Sequence, residues 1–323
     1  MKLVIQIPCY NEEDTLRETL ADLPTQLEGI DCIEIQVVDD GSTDRTVEVA
    51  KQWGVQHIVG FKQNRGLAAA FKAGIDDAIL NNADILVNTD ADNQYCGQDI
   101  AKLVRPIVQG HADMVIGCRP IDSHPEFSYV KKQLQKTGSW VLRRVSKTKV
   151  RDAASGFRAY SKDALFHINV YSDFSYCLET LIQAGYSNLK IDTVEINVNP
   201  KTRESRLFRN AFQYVWKQTK TMINIFLLYR ANVFFNIVAF MFFLLSVALG
   251  VRYLVLVLFL NAPAGNFWPT VILAGVALAI AFQLLLTGIL ASLISSVRKL
   301  SEDTNYRIKK LGAFDPKRDD EIK

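Results

Sequence analysis

Two aspartates stand two residues apart in the stretch Ala83-Asp84-Ile85-Leu86-Val87-Asn88-Thr89-Asp90-Ala91-Asp92-Asn93-Gln94. The apolar run before them, Ile85 to Val87, reads as a short buried strand. In extended chain, side chains two apart point to the same side, so Asp90 and Asp92 can approach one cation together. With no Cys or His beside them they suit a hard ion, Mg2+ or Mn2+, which takes part of its shell from water and substrate phosphates. The plainer reading of a lone Asp-x-Asp is an Asx-rich turn after a strand. The surroundings decide between the two. The histidines, His57, His111, His124 and His167, share no ligand spacing and read as surface or loop residues. The cysteines, Cys9, Cys32, Cys96, Cys118 and Cys177, form no C-x-x-C pair and read as reduced thiols.

The elements that must position the aspartates alternate between strand and helix. Leu3 to Pro8 is a predicted strand, followed by an acidic helix start at Asn11-Glu12-Glu13-Asp14. A second strand, Ile33 to Val38, ends at Asp39-Asp40-Gly41-Ser42-Thr43-Asp44, where Ser42 or Thr43 can cap a helix running towards Trp53. Val55 to Phe61 is a third strand, and Asn64-Arg65-Gly66-Leu67 opens a helix to about Leu80. The strand bearing the aspartates is the fourth, and Asp113 to Gly117 the fifth. This alternation predicts βαβ units and an α/β fold with a mostly parallel sheet. In such sheets ligands bind at the carboxyl ends of the strands. Pro8 to Tyr10, Asp39-Asp40, Asp90 to Asp92 and Arg119 all fall there.

The strand-end motifs Ile7-Pro8-Cys9-Tyr10-Asn11-Glu12-Glu13, Val37-Val38-Asp39-Asp40-Gly41-Ser42-Thr43-Asp44, Asn64-Arg65-Gly66 and Asp90-Ala91-Asp92-Asn93-Gln94 together resemble the inverting family 2 glycosyltransferases of GT-A fold. The resemblance implies a Rossmann-like, mostly parallel catalytic domain over residues 1–204 and a nucleotide-sugar donor, UDP- or GDP-linked. It implies that Pro8, Tyr10, Glu12 and Asp40 line the base and ribose, with Ala91 and Arg206 also at the donor. Asp90, Asp92 and Gln94 would hold Mg2+ or Mn2+ on the diphosphate. Asp39 and Asp44 read as turn and capping residues instead.

The region after the fifth strand is expected to receive the acceptor. Tyr129 to Lys149 is a basic helical stretch, suited to a solvated face or to anionic lipid. Arg151-Asp152-Ala153-Ala154-Ser155-Gly156-Phe157-Arg158 resembles the Ser-Gly-Phe-Arg segment of polyprenyl-phosphate glycosyltransferases. That likeness implies an acceptor phosphate held by Arg119, Lys136, Ser155 and Arg158. The chain departs from the pattern at Lys136, where an Arg is looked for; a Lys neutralises a phosphate but lacks the bidentate fork. Phe174 to Thr180 resembles the segment that carries the catalytic carboxylate of members attacking with a sugar hydroxyl, and Glu179 occupies that slot. A phosphate monoester, with a second pKa of about 6, is already largely ionised at neutral pH. Glu179 therefore reads as a positioning or helix N-terminal carboxylate ahead of a general base. Pro200 to Arg206 resembles the Gly-Glu-Ser-Lys loop over the donor diphosphate, with Arg203 in place of the Gly and Arg206 in place of the Lys. Asp92, Arg119 and Glu179 are the residues expected at the chemical step.

The 323 residues leave room for one sizeable domain and something further. Met1 to Tyr10 reads as a strand and not as a signal peptide. A net charge of +3 is too small to indicate nucleic acid. Between Val233 and Ser296 there is no acid and one base, Arg252. Apolar residues at helical spacing, interleaved with Arg209, Lys217 and Lys220, predict a juxtamembrane amphipathic helix over 205–230. Two transmembrane helices, about 233–257 and 268–294, follow within 231–297. Bases flank both ends, so the positive-inside rule predicts a membrane hairpin with the catalytic domain and the charged tail, 298–323, cytoplasmic. The tail is expected to be a short helix followed by disorder. Likeness to the two-span subgroup leaves a homo-oligomer open.

Three readings follow. The favoured one is a non-processive enzyme moving one sugar to a polyprenyl phosphate at the cytoplasmic membrane face. The second is a membrane glycosyltransferase with a hydroxyl acceptor and Glu179 as base, although the Gln-x-x-Arg-Trp string of processive synthases does not occur. The third is a non-catalytic membrane scaffold, against which the intact Asp90 and Asp92 argue.

Overall fold

The computed structural model describes residues 1–120, 152–170, 176–199, 211–259 and 267–313, with Val150 and Pro263; over 211–230 it describes backbone only. Two compact units emerge, residues 1–217 with 302–323, and residues 218–301.

The first unit is built on a seven-stranded sheet in the order β3-β2-β1-β4-β6-β5-β7. Its strands are β1 (Lys2–Cys9), β2 (Cys32–Asp39), β3 (His57–Gly60), β4 (Ile85–Asn88), β5 (Met114–Cys118), β6 (Arg158–Ser161) and β7 (Ile191–Glu195). Strands β1 to β4 run parallel, β5 pairs parallel with β7, and β6 lies antiparallel between β4 and β5. The first five strands match the sequence expectation to within two residues at each end. β1 is buried at every position but its first, as a central strand covered on both faces must be.

The helices are α1 (Leu16–Asp22), α2 (Thr46–Trp53), α3 (Leu67–Leu80), α4 (Ile100–Val108), α5 (Lys162–His167) and α6 (Tyr176–Tyr186). In α4, Ile100, Leu103, Val104 and Ile107 recur at helical spacing and are all buried against the sheet. α2 stops at Gly54, whose left-handed φ of 83° lets its N–H return to the Ala50 and Lys51 carbonyls. Two expected helix starts differ. Asn11 adopts a left-handed φ of 55° and opens a turn, so α1 begins later, at Leu16. Ser42 and Thr43 do not cap α2; Ser42 Oγ accepts the Asn11 N–H, and the Asp44 carboxylate takes the Thr46 N–H.

The second unit holds most of two long helices. α7 (Ala211–Leu254) is unbroken and continues as a π-helical segment to Phe259, and α8 spans Trp268–Ala313. Two stretches, Ala231–Phe259 and Trp268–Gly312, are long and apolar enough to cross a membrane. Phe240 and Phe282 face outwards, about 60% exposed. Small residues, Ala239, Ala277 and Ala281, are buried. Ser246 Oγ donates to the Ala274 carbonyl at 2.8 Å, and a Cβ on Gly288 would lie 2.5 Å from Asn236 Oδ1.

Beyond Ser301 the chain differs from the short helix expected there. α8 stays helical to Ala313, and its last turns belong to the first unit. Tyr306 Oη donates to Asp163 at 3.1 Å, and Lys309 Nζ donates to the Ile168 carbonyl at 2.6 Å. These contacts give the charged segment a fixed partner. The expectations placed on Tyr129 to Lys149, including Lys136, on Pro200 to Arg206, and on the amphipathic side chains of 205–230 lie outside the described residues.

Candidate active site

Four strand ends and two loops meet at the carboxyl edge of the sheet. β1 and β2 end in register, Cys9 beside Asp39, and the chain turns outwards at Tyr10, which is 43% exposed. Asp40 follows with its N–H on the Cys9 carbonyl at 2.8 Å. Its carboxylate, only 4% exposed, accepts the Arg65 N–H at 2.7 Å and the Gly66 N–H at 2.9 Å. Asp40 therefore braces the loop that opens α3. Gly41 makes that packing possible: its φ is +74°, and a Cβ there would sit 2.6 Å from the Gln63 carbonyl carbon. Asp39 accepts the Ser42 N–H, the turn chemistry expected of it. Glu12 is tied down through its N–H to Thr46 Oγ1 at 2.8 Å and through Oε2 to the Thr15 hydroxyl at 2.8 Å.

Asp90 and Asp92 leave the end of β4 together. Burial and then the Asp92 charge push the Asp90 carboxyl from 3.8 up to about 7, while Arg119 pulls it the other way. Two carboxylates that repel each other in a partly buried cleft fit a cation, which removes the repulsion. No cluster of three His, Cys, Asp or Glu side chains that could hold a metal occurs among the described residues. The pair thus fits an ion completed by water and substrate oxygens, the usual habit of Mg2+. The loop that carries the pair is fixed on both sides. Ala91 is buried and its carbonyl accepts Thr19 Oγ1 at 2.9 Å, Asp92 Oδ1 accepts the Gln94 N–H at 3.3 Å, and the Gln94 carbonyl accepts the Asn199 N–H at 2.9 Å.

Arg119, one residue past β5, is half-buried and forks onto Asp152, Nε to Oδ2 at 2.8 Å and Nη2 to Oδ1 at 3.1 Å. Burial opposes its charge, yet Tyr95, Asp152 and Asp90 around it hold the guanidinium above its ordinary value. A permanent cation thus stands beside the carboxylate pair. Asp152 is fully buried and was given no role from the sequence; a carboxylate directly after Arg151 reads as an ordinary charged loop.

Two of the expected acceptor residues face inwards. Arg158 is fully buried and does not reach out to an acceptor. Its guanidinium donates to the carbonyls of Ser155 at 2.7 Å, Ala153 at 2.8 Å and Cys177 at 2.7 Å, and to Thr180 Oγ1 at 3.0 Å. Those bonds absorb the donors a phosphate would need. Ser155 is likewise buried, with Oγ turned to the Phe157 N–H at 3.4 Å. Both side chains are engaged within the segment itself. Glu179 lies in the first turn of α6 and is 1% exposed. Pro8 is buried in β1. Arg206 and Lys136 lie outside the described residues.

Beneath the site runs a row of polar side chains that sequence reasoning missed. Gln36, Gln6, Asn88 and Arg158 are neighbours across β2, β1, β4 and β6, and all four are fully buried. The signal was present as a single amide in each of two otherwise apolar strands, Gln6 and Asn88.

Known proteins share this sequence pattern and this fold. The chain is 32% identical over 215 residues to UDP-N-acetylglucosamine–dolichyl-phosphate N-acetylglucosaminyltransferase of Methanococcus voltae, an alignment covering 59% of this chain and 82% of that one. It is 30% identical over 226 residues to dolichol-phosphate mannosyltransferase of Pyrococcus furiosus, covering 67% of this chain and 62% of the relative. Among solved structures, glucosyl-3-phosphoglycerate synthase from Mycobacterium tuberculosis, crystallised with Mn2+, UDP and glucosyl-3-phosphoglycerate, shares the fold with a TM-score of 0.53 at 18% identity, over 70% of this chain and 78% of that one. Residues 4–168, from β1 to just past α5 and including the ends of β1, β2, β4 and β5, match the model of glycosyl transferase family 2, and the protein is a glycosyltransferase of that family.

Proposed function

We propose that the protein transfers a single sugar from a nucleotide-sugar to a polyprenyl phosphate at the cytoplasmic face of a membrane, with inversion at the anomeric carbon. The observation that carries this reading is the juxtaposition at one sheet edge of the Asp90–Asp92 pair and the Arg119 cation braced by Asp152. One side suits a metal-bound diphosphate, the other an anionic acceptor. The names of the Methanococcus and Pyrococcus relatives support the acceptor class, and the two apolar helices support delivery of a lipid. Basic residues flanking both spans support a cytoplasmic site.

In this mechanism Tyr10, exposed at the end of β1, packs on the nucleotide base, while Asp40 and Glu12 hold the loops around base and ribose. A divalent ion, Mg2+ or Mn2+, held by Asp90 and Asp92 with Gln94 near, would supply neutralisation of the charge gathering on the leaving diphosphate. Arg119 holds the acceptor phosphate, which is already anionic, for in-line attack on the anomeric carbon. The phosphate oxygen forms the new glycosidic bond as the bond to the nucleoside diphosphate breaks, so an α-linked donor gives a β-linked lipid phosphate. No proton has to be removed from such a nucleophile, and the near-complete burial of Glu179 accords with a positioning role.

The test is to incubate the purified protein with a panel of sugar nucleotides, undecaprenyl or dolichyl phosphate, and Mg2+ or Mn2+, and to determine the anomer by NMR. A β-linked lipid-phosphate sugar is expected. An α-linked product, or transfer to a lipid hydroxyl alone, refutes the reading.

A further inference from the structure

The site as described makes no use of a hydrogen-bonded cluster lying directly under Asp90. β4 and β6 pair antiparallel with Asn88 opposite Arg158, and the same register carried two residues further sets Asp90 opposite Gly156. There the two backbones close up. A Cβ built on Gly156 would lie 3.3 Å from Asp90 Oδ1 and 2.8 Å from Tyr176 Oη, so the carboxylate and the phenol both crowd the space that a side chain there would fill. Gly156 is itself held by both of its peptide groups. Its N–H reaches Tyr95 Oη at 3.3 Å, and its carbonyl accepts Asn88 Nδ2 at 3.0 Å. The same Asn88 Nδ2 donates to Tyr176 Oη at 3.0 Å, and Asn88 Oδ1 accepts Gln6 Nε2 at 3.1 Å. Tyr176 is pinned in turn by its ring, stacked on Phe71 at 3.9 Å. All these groups are buried, so their bonds are costly to break and their geometry is stiff.

We infer that Gly156 and Tyr176 are positioning residues for Asp90. The bare Cα of Gly156 leaves the carboxylate its seat, and the Asn88-anchored phenol fixes the depth of that seat. The inference rests on the reading of Asp90 and Asp92 as the metal pair. A methyl group at 156 would meet the Tyr176 hydroxyl below ordinary van der Waals contact and crowd Asp90 Oδ1, so the carboxylate must move outwards. A metal site half an ångström out of place loses affinity before it loses its ligands. Removing the phenol oxygen has the opposite geometric sense, because it deepens the seat and leaves Asn88 Nδ2 with one partner fewer.

The experiment uses the full-length protein in detergent and titrates Mn2+, followed by electron paramagnetic resonance, with UDP and GDP present in separate series. Gly156→Ala is expected to weaken Mn2+ binding at least tenfold, and Tyr176→Phe, which keeps the stack on Phe71, by about threefold or more. Ile107→Val, a buried change in α4, none of whose residues belongs to the cluster, serves as the stability control and should lower the melting midpoint without changing Mn2+ affinity. Asp92→Asn separates the two layers of the argument. If it loses Mn2+ while Gly156→Ala and Tyr176→Phe both bind as the parent does, the positioning role is refuted and the metal pair stands. If Asp92→Asn itself binds Mn2+ normally, the metal reading fails and the positioning role with it. Should Gly156→Ala not fold, Tyr176→Phe alone decides, with parental Mn2+ affinity counting against the inference.

Discussion

Replacing Asp90 by Asn should stabilise the metal-free protein, and by an amount that depends on pH. Burial and the neighbouring Asp92 hold the Asp90 carboxyl at about 7 in the fold, against 3.8 in an unfolded chain. Between those values the unfolded chain has released a proton that the folded one still holds, so stability falls as pH rises. The contribution is fully present below 3.8 and lost once the pH has passed about 7. The gap corresponds to a ceiling of about 4 kcal/mol at alkaline pH, or roughly 10 °C in melting midpoint for a unit of this size. Asn carries no charge to confine, so Asp90→Asn escapes the loss. In chelator the two proteins should melt together near pH 4 and diverge progressively to pH 8, with the variant the more stable. Adding Mn2+ and a nucleoside diphosphate should reverse the order, because only the parent gains a bound ion. Differential scanning fluorimetry across that range, with and without metal, measures both effects. Parallel melting curves from pH 4 to pH 8 in chelator would refute the argument that the carboxylate pair is strained without a cation.

Arg158→Lys should cost about 3–5 kcal/mol, because a buried ammonium cannot satisfy the carbonyls of Ser155, Ala153 and Cys177 as the guanidinium fork does; a parental melting curve would contradict the framework role. Gly41→Ala forces a side chain into a left-handed backbone and against Gln63, at about 1–2 kcal/mol or more. Steady-state kinetics should show a raised KM for the nucleotide-sugar with a smaller change in kcat, since in the proposed mechanism the disturbed loop would lie beside the donor. Glu179→Gln should lower turnover less than about tenfold while Asp92→Asn lowers it at least about a hundredfold. Equal losses at saturating donor and lipid would favour a hydroxyl acceptor with Glu179 as its base.

The parallel half of the sheet was legible because its strands are apolar runs bounded by turn residues and separated by helices, and the strand-end motifs lie where such folds bind ligands. β6 was not. It is four residues long and begins with a fully buried arginine, a residue type almost never found inside without a partner. An arginine in a recognisable motif reads as a ligand for phosphate, and only the surrounding carbonyls reveal that Arg158 is spent internally. Asp152 was invisible for a related reason. Its importance comes from Arg119, which is 33 residues away along the chain and becomes a neighbour only through the pairing of β5 with β6. Asp90 and Asp92 were found from their spacing alone, although β4 ends at Asn88 and Asp92 is carried in the turn that follows, not in extended chain.

The placement of β6 also has a consequence for how the enzyme is made. β4 and β5 are consecutive strands, yet they do not pair with each other; the slot between them stays open until residues 158–161 arrive. In a nascent chain that has emerged only as far as β5, the edges of β4 and β5 that face the slot are bare, and bare edges invite wrong partners. Insertion of the late, antiparallel strand covers the two edges that face the slot in one event. The same event draws Asp152 to Arg119 and Gly156 to Asp90, since both residues lie just before that strand. Closure of the slot between β4 and β5 therefore brings these site residues together, with β7 still to be added on the far side of β5. A chain that fails to insert β6 is exposed to aggregation and inactive for the same reason, so misfolded copies do not persist as slow enzymes.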